Sequence, residues 1–215
     1  TLGLHLKGLT NNELQDCFEA NNFALIHQPD HFPLAENLIS YRDEIGKRPP
    51  LASMELIWTA HKGEHLLVSG FVHPPTEERA RKTLKMLGEL NFISIKGLEG
   101  GIDLPISRAC ILGRVNNNYS ERIILHANEY ECSGNDMKWI NMNEWHDAAI
   151  AALENKGPLR EALCWNTGVY LWLSKTTNSI NDGLEKAEDL MVKGSAKQIL
   201  EELIDWRKNI GIYSQ

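Results

Sequence analysis

Apolar and polar positions follow two rhythms along this chain, one of strand type and one near the 3.6-residue helical period, and together they divide it into short alternating segments. Thr10 followed by Glu13 is a capping-box pair and predicts a helix through about Asn21. Phe23-Ala-Leu-Ile-His27 predicts a short apolar strand. A helix is expected from about Pro33 to Ile45, with Gly46 placed to cap it, and a weaker one from Leu51 to Thr59. Leu66 to Val72 is an apolar run of strand length. Pro75 and Thr76 then open a helix ending at Gly88, and Asn91 to Ile95 is a further strand. This strand–helix–strand order suits a right-handed parallel crossover. Ile111–Val115 and Ile123–His126 predict a hairpin across Asn116-Asn117-Asn118. From Asn143 the pattern is helical, over about 143–155, 158–175, 178–193 and 195–209, after a break near Tyr130 to Asn141. The fold expected is α/β: a mostly parallel central sheet flanked by helices, with a helical C-terminal layer.

Composition narrows the class. A chain of 215 residues, 42% hydrophobic and 24% charged, has the length and make-up of one globular domain. The net charge of −7 argues against non-specific binding to nucleic acid or an anionic membrane by the whole chain. The charge is uneven: 13 basic and 15 acidic side chains lie in residues 1–128, against 9 and 14 in 129–215. An anion site is therefore expected in the first part. Cys17, Cys110, Cys132 and Cys164 form no CxxC pair, so free thiols are expected and a cytoplasmic location fits them. No apolar run approaches the roughly 18 residues of a membrane span, and the first residues do not read as a signal peptide.

The most distinctive stretch for chemistry is Lys96-Gly97-Leu98-Glu99-Gly100-Gly101-Ile102-Asp103-Leu104-Pro105. It follows a predicted strand, where α/β proteins bind ligands, and its glycines let backbone approach a ligand closely. Glu99 and Asp103 offer two carboxylates to Mg²⁺, which binds through few carboxylates together with ligand phosphates. A tight surface turn with solvated acids is the plainer reading of the same residues. Arg42, Lys47, Arg48, Pro49 and Pro50 form a basic cluster. Arg42 suits the end of its helix through the dipole alone, or forms part of a fork for a carboxylate or phosphate. His61 and His65 are four apart, but Gly63 separates them and no third ligand is apparent. Arg79, Arg81, Lys82 and Lys85 make one helix locally basic, balanced partly by Glu77 and Glu78.

Read together, these segments resemble the C-terminal catalytic domain of the anthranilate phosphoribosyltransferase family (glycosyltransferase family 3), from about Leu2 to Leu203. The family's His-Pro-Ala-Met, Val-Arg, Glu-Leu-Gly and Arg-Thr look like Phe32-Pro33-Leu34-Ala35, Tyr41-Arg42, Glu44-Ile45-Gly46 and Lys47-Arg48. Its strand to Val-His-Gly, then Asp-Gly-Leu-Asp-Glu, looks like Ile93-Ser94-Ile95-Lys96-Gly97 and Glu99-Gly100-Gly101-Ile102-Asp103. Its Asn-Ala-Ala helix and Gly-Val-Glu-Leu-Ala…Ser-Gly-Lys-Ala pattern resemble Asn166-Thr167-Gly168 and Gly183-Leu-Glu-Lys-Ala187…Lys193-Gly194-Ser195-Ala196.

The resemblance implies a nucleoside phosphorylase/phosphoribosyltransferase-like catalytic-domain fold and attack by an aromatic amine at C1 of phosphoribosyl pyrophosphate, with Mg²⁺ on the leaving pyrophosphate. It implies that Arg42, with His31 and Arg48, binds the substrate, and that Asp103, with Glu99, holds the metal. The chain departs from the family at three points. The histidine before the family proline is Phe32, with His31 one place earlier. The acidic pair is Ile102-Asp103, and the Asn-x-x-Gly-Pro-Leu wall of the acceptor pocket is Ala52-Ser53-Met54-Glu55-Leu56. An altered acceptor is therefore expected. The family's Gly-Thr-Gly-Gly-Asp pyrophosphate loop and Lys-His-Gly-Asn segment do not occur in these residues. The resemblance thus implies a portion of a longer protein that lacks the helical N-terminal domain, inactive alone and a homodimer when complete. Gly70-Phe71-Val72-His73-Pro74-Pro75 and the Gly-Leu-Glu-Gly…Asp-Leu-Pro loop look closer to a paralogous branch. That suggests the alternative of a non-catalytic DNA-binding paralogue.

Overall fold

The computed structural model describes residues 2–46, 57–116 and 119–211. Its centre is a four-stranded sheet of β1 (Leu67–Gly70), β2 (Asn91–Lys96), β3 (Cys110–Asn116) and β4 (Tyr119–Leu125), in spatial order β1-β2-β3-β4. The helix α5 (Pro74–Met86) connects β1 to β2, which run parallel, with Leu67 opposite Phe92 and Gly70 opposite Ile95. The other two pairings are antiparallel. The sheet is therefore mixed, and the mostly parallel direction expected holds only for β1 and β2. The reason is the connection: residues 97–109 hold no α-helix to carry a crossover, so the chain folds straight back. The hairpin is present and longer than expected, closing on the pair Asn116–Tyr119, with 117–118 outside the described residues.

Period-two alternation gives the sheet two faces. Ile93, Ile95, Cys110, Leu112 and Leu125 form the main core with Trp165, Val169 and Leu173 of α7 (Arg160–Leu173). Phe92, Leu67 and Val115 face the other way, against Leu84 of α5 and Ile57. The C-terminal layer consists of α6 (Met142–Leu153), α7, α8 (Ile180–Val192) and α9 (Ser195–Asn209), each within a few residues of its expected span. The four cysteines are free and buried, and burial pushes the Cys110 thiol up to about 12 and that of Cys164 up to about 11. They act as packing residues.

Two glycines set the α7–α8 crossing. A Cβ at Gly168 would lie 2.6 Å from Leu184 Cδ2 and 2.9 Å from its Cα, and one at Gly183 would lie 2.2 Å from the Gly168 carbonyl oxygen. Backbone cannot swing aside as a side chain can. Gly183→Ala is therefore expected to cost about 1–3 kcal/mol through overpacking. Denaturant unfolding checks this, and an unchanged midpoint would contradict the crossing.

The N-terminal part departs most from expectation. Here α1 (Asn11–Asn21) has its capping box: Thr10 Oγ1 accepts from the Glu13 N–H, and the Glu13 carboxylate accepts from the Thr10 N–H at 2.7 Å. Buried Arg207 of α9 holds this region by donating from Nε to His5 O (2.7 Å) and from Nη2 to Lys7 O (3.0 Å). Residues 23–27 are not a strand. They have no sheet neighbour among the described residues, and Phe23 and Leu25 stay 44% and 45% exposed. A short helix not expected from the pattern, α2 (Gln28–His31), follows. The helix expected over 33–45 is broken into α3 (Pro33–Glu36) and α4 (Ile39–Ile45). At the break the ladder tightens, with Leu38 N–H donating to Ala35 O. Leu34, Leu38, Tyr41 and Ile45 keep helical spacing yet are exposed, so no core straightens the segment. Gly46 caps α4 at φ 63° as expected. Of the helix expected over 51–59, residues 51–56 lie outside the described residues, and 57–59 are not helical.

His65 fastens the approach to β1. Its Nδ1 lies 2.7 Å from Gly63 O and its Nε2 lies 2.9 Å from Glu89 Oε2. The Gly63 carbonyl, and then the Glu89 carboxylate, hold the protonated ring and raise its pKa. A raised histidine stabilises the fold fully below its unfolded value of about 6.5, and the contribution is lost as pH climbs through the folded value. Stability should therefore fall as pH rises above about 6.5, and His65→Gln should flatten that part of the profile. Unfolding midpoints across the range check the sign.

Candidate functional site

The glycine-rich stretch lies where β1 and β2 end side by side. After Lys96 the chain enters a 3₁₀ turn, Leu98–Gly100, in which Glu99 adopts φ 50° and Gly100 φ 82°. Glu99 thus takes a left-handed conformation that costs an L-residue roughly 1 kcal/mol or more. The Leu98 N–H donates to Asp103 O (3.0 Å) and the Gly101 N–H to Leu98 O (2.8 Å), which closes the loop on itself. It also lies tight on β1, because a Cβ at Gly70 would stand 2.1 Å from Gly100 O and 2.5 Å from Gly101 O.

From below, α7 pins the same loop. Asn166 Oδ1 accepts from the Leu104 N–H at 2.7 Å, and its Nδ2 donates to Leu104 O at 3.0 Å and Ala162 O at 2.9 Å. Tyr170 Oη donates to Ile102 O at 2.7 Å. Burial, followed by the Asp103 charge, pushes the Tyr170 phenol well above its ordinary range, so it remains a donor. Asp136 accepts from the Ile106 N–H at 2.9 Å and from the Ser107 hydroxyl. The backbone is therefore held at four points while Glu99 and Asp103 project their carboxylates into solvent. Val72 lies against Gly100, and both Val72 and Ile102, the neighbour of Asp103 in the chain, are exposed.

The donor set fits Mg²⁺ in one way only. Among the described residues no group of three or more His, Cys, Asp or Glu could hold a metal ion. Glu99 and Asp103 instead provide two carboxylates on one fixed loop, and Mg²⁺ completes such a set with water and ligand phosphate oxygens.

The other expected site residues are elsewhere. Arg42 is half-buried on the last turn of α4, and His31 ends α2. His31 Nδ1 lies 2.9 Å from both the N and the O of His27, while its buried Nε2 has no partner among the described residues. Arg48 lies outside the described residues. The structure thus joins Glu99 and Asp103 in one loop and puts Arg42 and His31 on separate helices of the N-terminal segment. The basic face of α5 is partly engaged locally: Lys82 pairs with Glu78 at 2.7 Å and Arg81 Nη1 donates to Ser120 Oγ at 3.3 Å. The residues that position the loop, Asn166, Tyr170 and Asp136, were missed as such. A signal existed for the first, since an asparagine in the middle of the apolar helix Cys164–Leu173 needs a tertiary partner.

Residues 1–197 match the model of the glycosyl transferase family, a/b domain. The chain belongs to that family. Within it, the anthranilate phosphoribosyltransferase of Chromobacterium violaceum is 24% identical over 214 residues, covering 98% of this chain and 62% of its own. That of Ralstonia pickettii is 24% identical over 207 residues, covering 94% and 59%. The chain therefore spans about three-fifths of the length of these relatives. Among solved structures, the anthranilate phosphoribosyltransferase of Saccharomyces cerevisiae in complex with PRPP (phosphoribosyl pyrophosphate) and Mg superposes with TM-score 0.81 at 14% identity, over 95% of this chain and 60% of that one. The Thermus thermophilus enzyme superposes with TM-score 0.75 at 19% identity, over 95% and 61%. At these identities the superpositions establish the shared fold. Among the described residues no helix is long and apolar enough to cross a membrane.

Proposed function

We propose that this family member is phosphoribosyltransferase-like and takes phosphoribosyl pyrophosphate, with its diphosphate end at the loop of residues 97–105 and an acceptor other than anthranilate. The observation that carries the reading is the loop itself. It is a strained glycine-rich turn at the paired ends of β1 and β2, fastened at Ile102 O and at both the N–H and the O of Leu104, with Glu99 and Asp103 exposed. Backbone strain held this firmly fits a site that must keep two carboxylates in place.

In this reading Glu99 and Asp103 hold Mg²⁺ through their carboxylate oxygens, and the ion, when bound, neutralises charge on the departing diphosphate. Tyr170 and Asn166 fix the loop carbonyls, so the carboxylates need no reorganisation as charge develops. Val72 and Ile102 offer an apolar surface for the sugar or the acceptor ring. Arg42 and His31 serve the acceptor side once the site is assembled.

Equilibrium binding of phosphoribosyl pyrophosphate, with Mg²⁺ present and with it chelated, tests the proposal. Binding is expected only with Mg²⁺, and Asp103→Asn should weaken it roughly tenfold or more through loss of one charged ligand. Equal binding by Asp103→Asn would sink the role given to the loop.

A further inference from the structure

The loop of residues 97–105 carries negative charge and no positive charge of its own. Glu99 and Asp103 are its only ionisable side chains, and both are exposed. One Mg²⁺ cancels two carboxylates, so a diphosphate bound there would still need a cation from the protein to answer its own charge. The basic side chain that opens the loop is Lys96, the last residue of β2.

Lys96 sits at a fixed place. The Phe71 N–H donates to Ile95 O at 2.9 Å, which carries the β1 pairing up to its side, and Ile111 of β3 lies opposite. The two limbs of the loop meet directly after it, because a Cβ on Gly97 would stand 2.4 Å from Gly101 O and 2.6 Å from Asp103 O. Lys96 is therefore one residue away from the backbone that carries a carboxylate. Strand alternation puts it on the face of Phe92 and Ser94, the α5 face, whereas Asn166 and Tyr170 hold the loop from the α7 side. One row back, Ser94 is covered by α5 and donates to buried Glu77 at 2.6 Å. The row at the strand end is open: Lys96 is exposed, Ile111 is half-buried and Ile124 is 57% exposed. Lys96 makes no ion pair or hydrogen bond among the described residues, although two carboxylates follow it in the same loop. Its apolar stem suits the Ile111 side, with the ammonium left in water.

We propose that Lys96 is the diphosphate-binding cation of this site, meeting phosphate oxygens as a point charge while Glu99 and Asp103 act through the metal. The inference rests on the function proposed above and deepens it. A ligand has to reach the metal and the ammonium together, which a diphosphate does with its two phosphoryl groups. Inorganic pyrophosphate should therefore bind without the sugar. The plain alternative is a solvated lysine that ends a strand, and it gives Lys96 no part in binding.

Calorimetric titration of the whole chain with phosphoribosyl pyrophosphate, and separately with inorganic pyrophosphate, both at saturating Mg²⁺, tests this. Both are expected to bind. Lys96→Gln should weaken each roughly tenfold and make the affinity less sensitive to salt, and Lys96→Arg should restore most of it. The Lys96 side chain is exposed, so the unfolding midpoint of Lys96→Gln should match the parent's. Lys186→Gln, an exposed change on α8, should bind as the parent does. Normal binding by Lys96→Gln beside a loss in Asp103→Asn overturns the role of Lys96 and leaves the reading of the loop standing. An equal loss in Lys186→Gln overturns it as well, because the effect is then one of net charge. No binding of either compound by the parent overturns the reading of the loop, and this inference falls with it.

Discussion

Replacing Gly70 by alanine should displace the loop that carries Glu99 and Asp103 and cut Mg²⁺-dependent binding of phosphoribosyl pyrophosphate roughly tenfold or more. The added Cβ would stand 2.1 Å from Gly100 O and 2.5 Å from Gly101 O, distances that no real Cβ tolerates. Both atoms are backbone, so relief requires the loop to lift from β1. Overpacking of this kind costs about 1–3 kcal/mol. Gly70 has no left-handed φ, so alanine fits its own backbone and the variant isolates the contact. Gly88→Ala is the matched control. Gly88 has φ 82° and open space around it, so it should lose about 1 kcal/mol from strain while ligand binding stays intact. Stability and affinity measured on both variants separate the two effects. If Gly70→Ala binds normally, the loop does not depend on its seat against β1.

The other large effect is expected at Asn166. In Asn166→Leu, both the N–H and the carbonyl of Leu104 lose their partner, at a residue only 1% exposed. Each buried backbone group left unpaired costs about 1–3 kcal/mol, so a loss of about 2–4 kcal/mol is expected. Hydrogen exchange should rise first at Leu104 and the preceding loop, ahead of the sheet. A loss spread evenly over α7 and the sheet, with the loop still protected, would contradict the role given to this side chain.

Much of the architecture was legible where one segment carries its own reason. Thr10 and Glu13 announce α1 because both halves of the capping box are local. Phe92 to Ile95 announce β2 because the run is of strand length and three of its four residues are aromatic or β-branched. Residues 23–27 show the limit. An apolar run can state that a strand would suit it, but not that a neighbour exists to complete its ladder. The stripe Leu34, Leu38, Tyr41 and Ile45 gives helical spacing without revealing the break at Leu38, since only packing would keep the helix straight. The antiparallel return from β2 to β3 could have been read, because residues 97–109 lack the helix that a parallel crossover uses.

The candidate site divides in the same way. Glycine density and two acids in ten residues mark the loop from sequence. Its supports do not: Asn166 and Tyr170 meet it across 62 and 68 positions, and such contacts exist only after folding. The buried Glu77 of α5 is less legible still. Glu77 and Arg81 read as an ordinary helical pair until Ser94 and Arg122 claim the carboxylate.

The most direct measurement is an amide NMR titration of the whole chain with phosphoribosyl pyrophosphate at saturating Mg²⁺. The account predicts shifts concentrated at Leu98 to Asp103 and at Val72, absent when Mg²⁺ is chelated and reduced in Asp103→Asn. Binding that shifts other residues and leaves this loop still, or that persists without the metal, would contradict it.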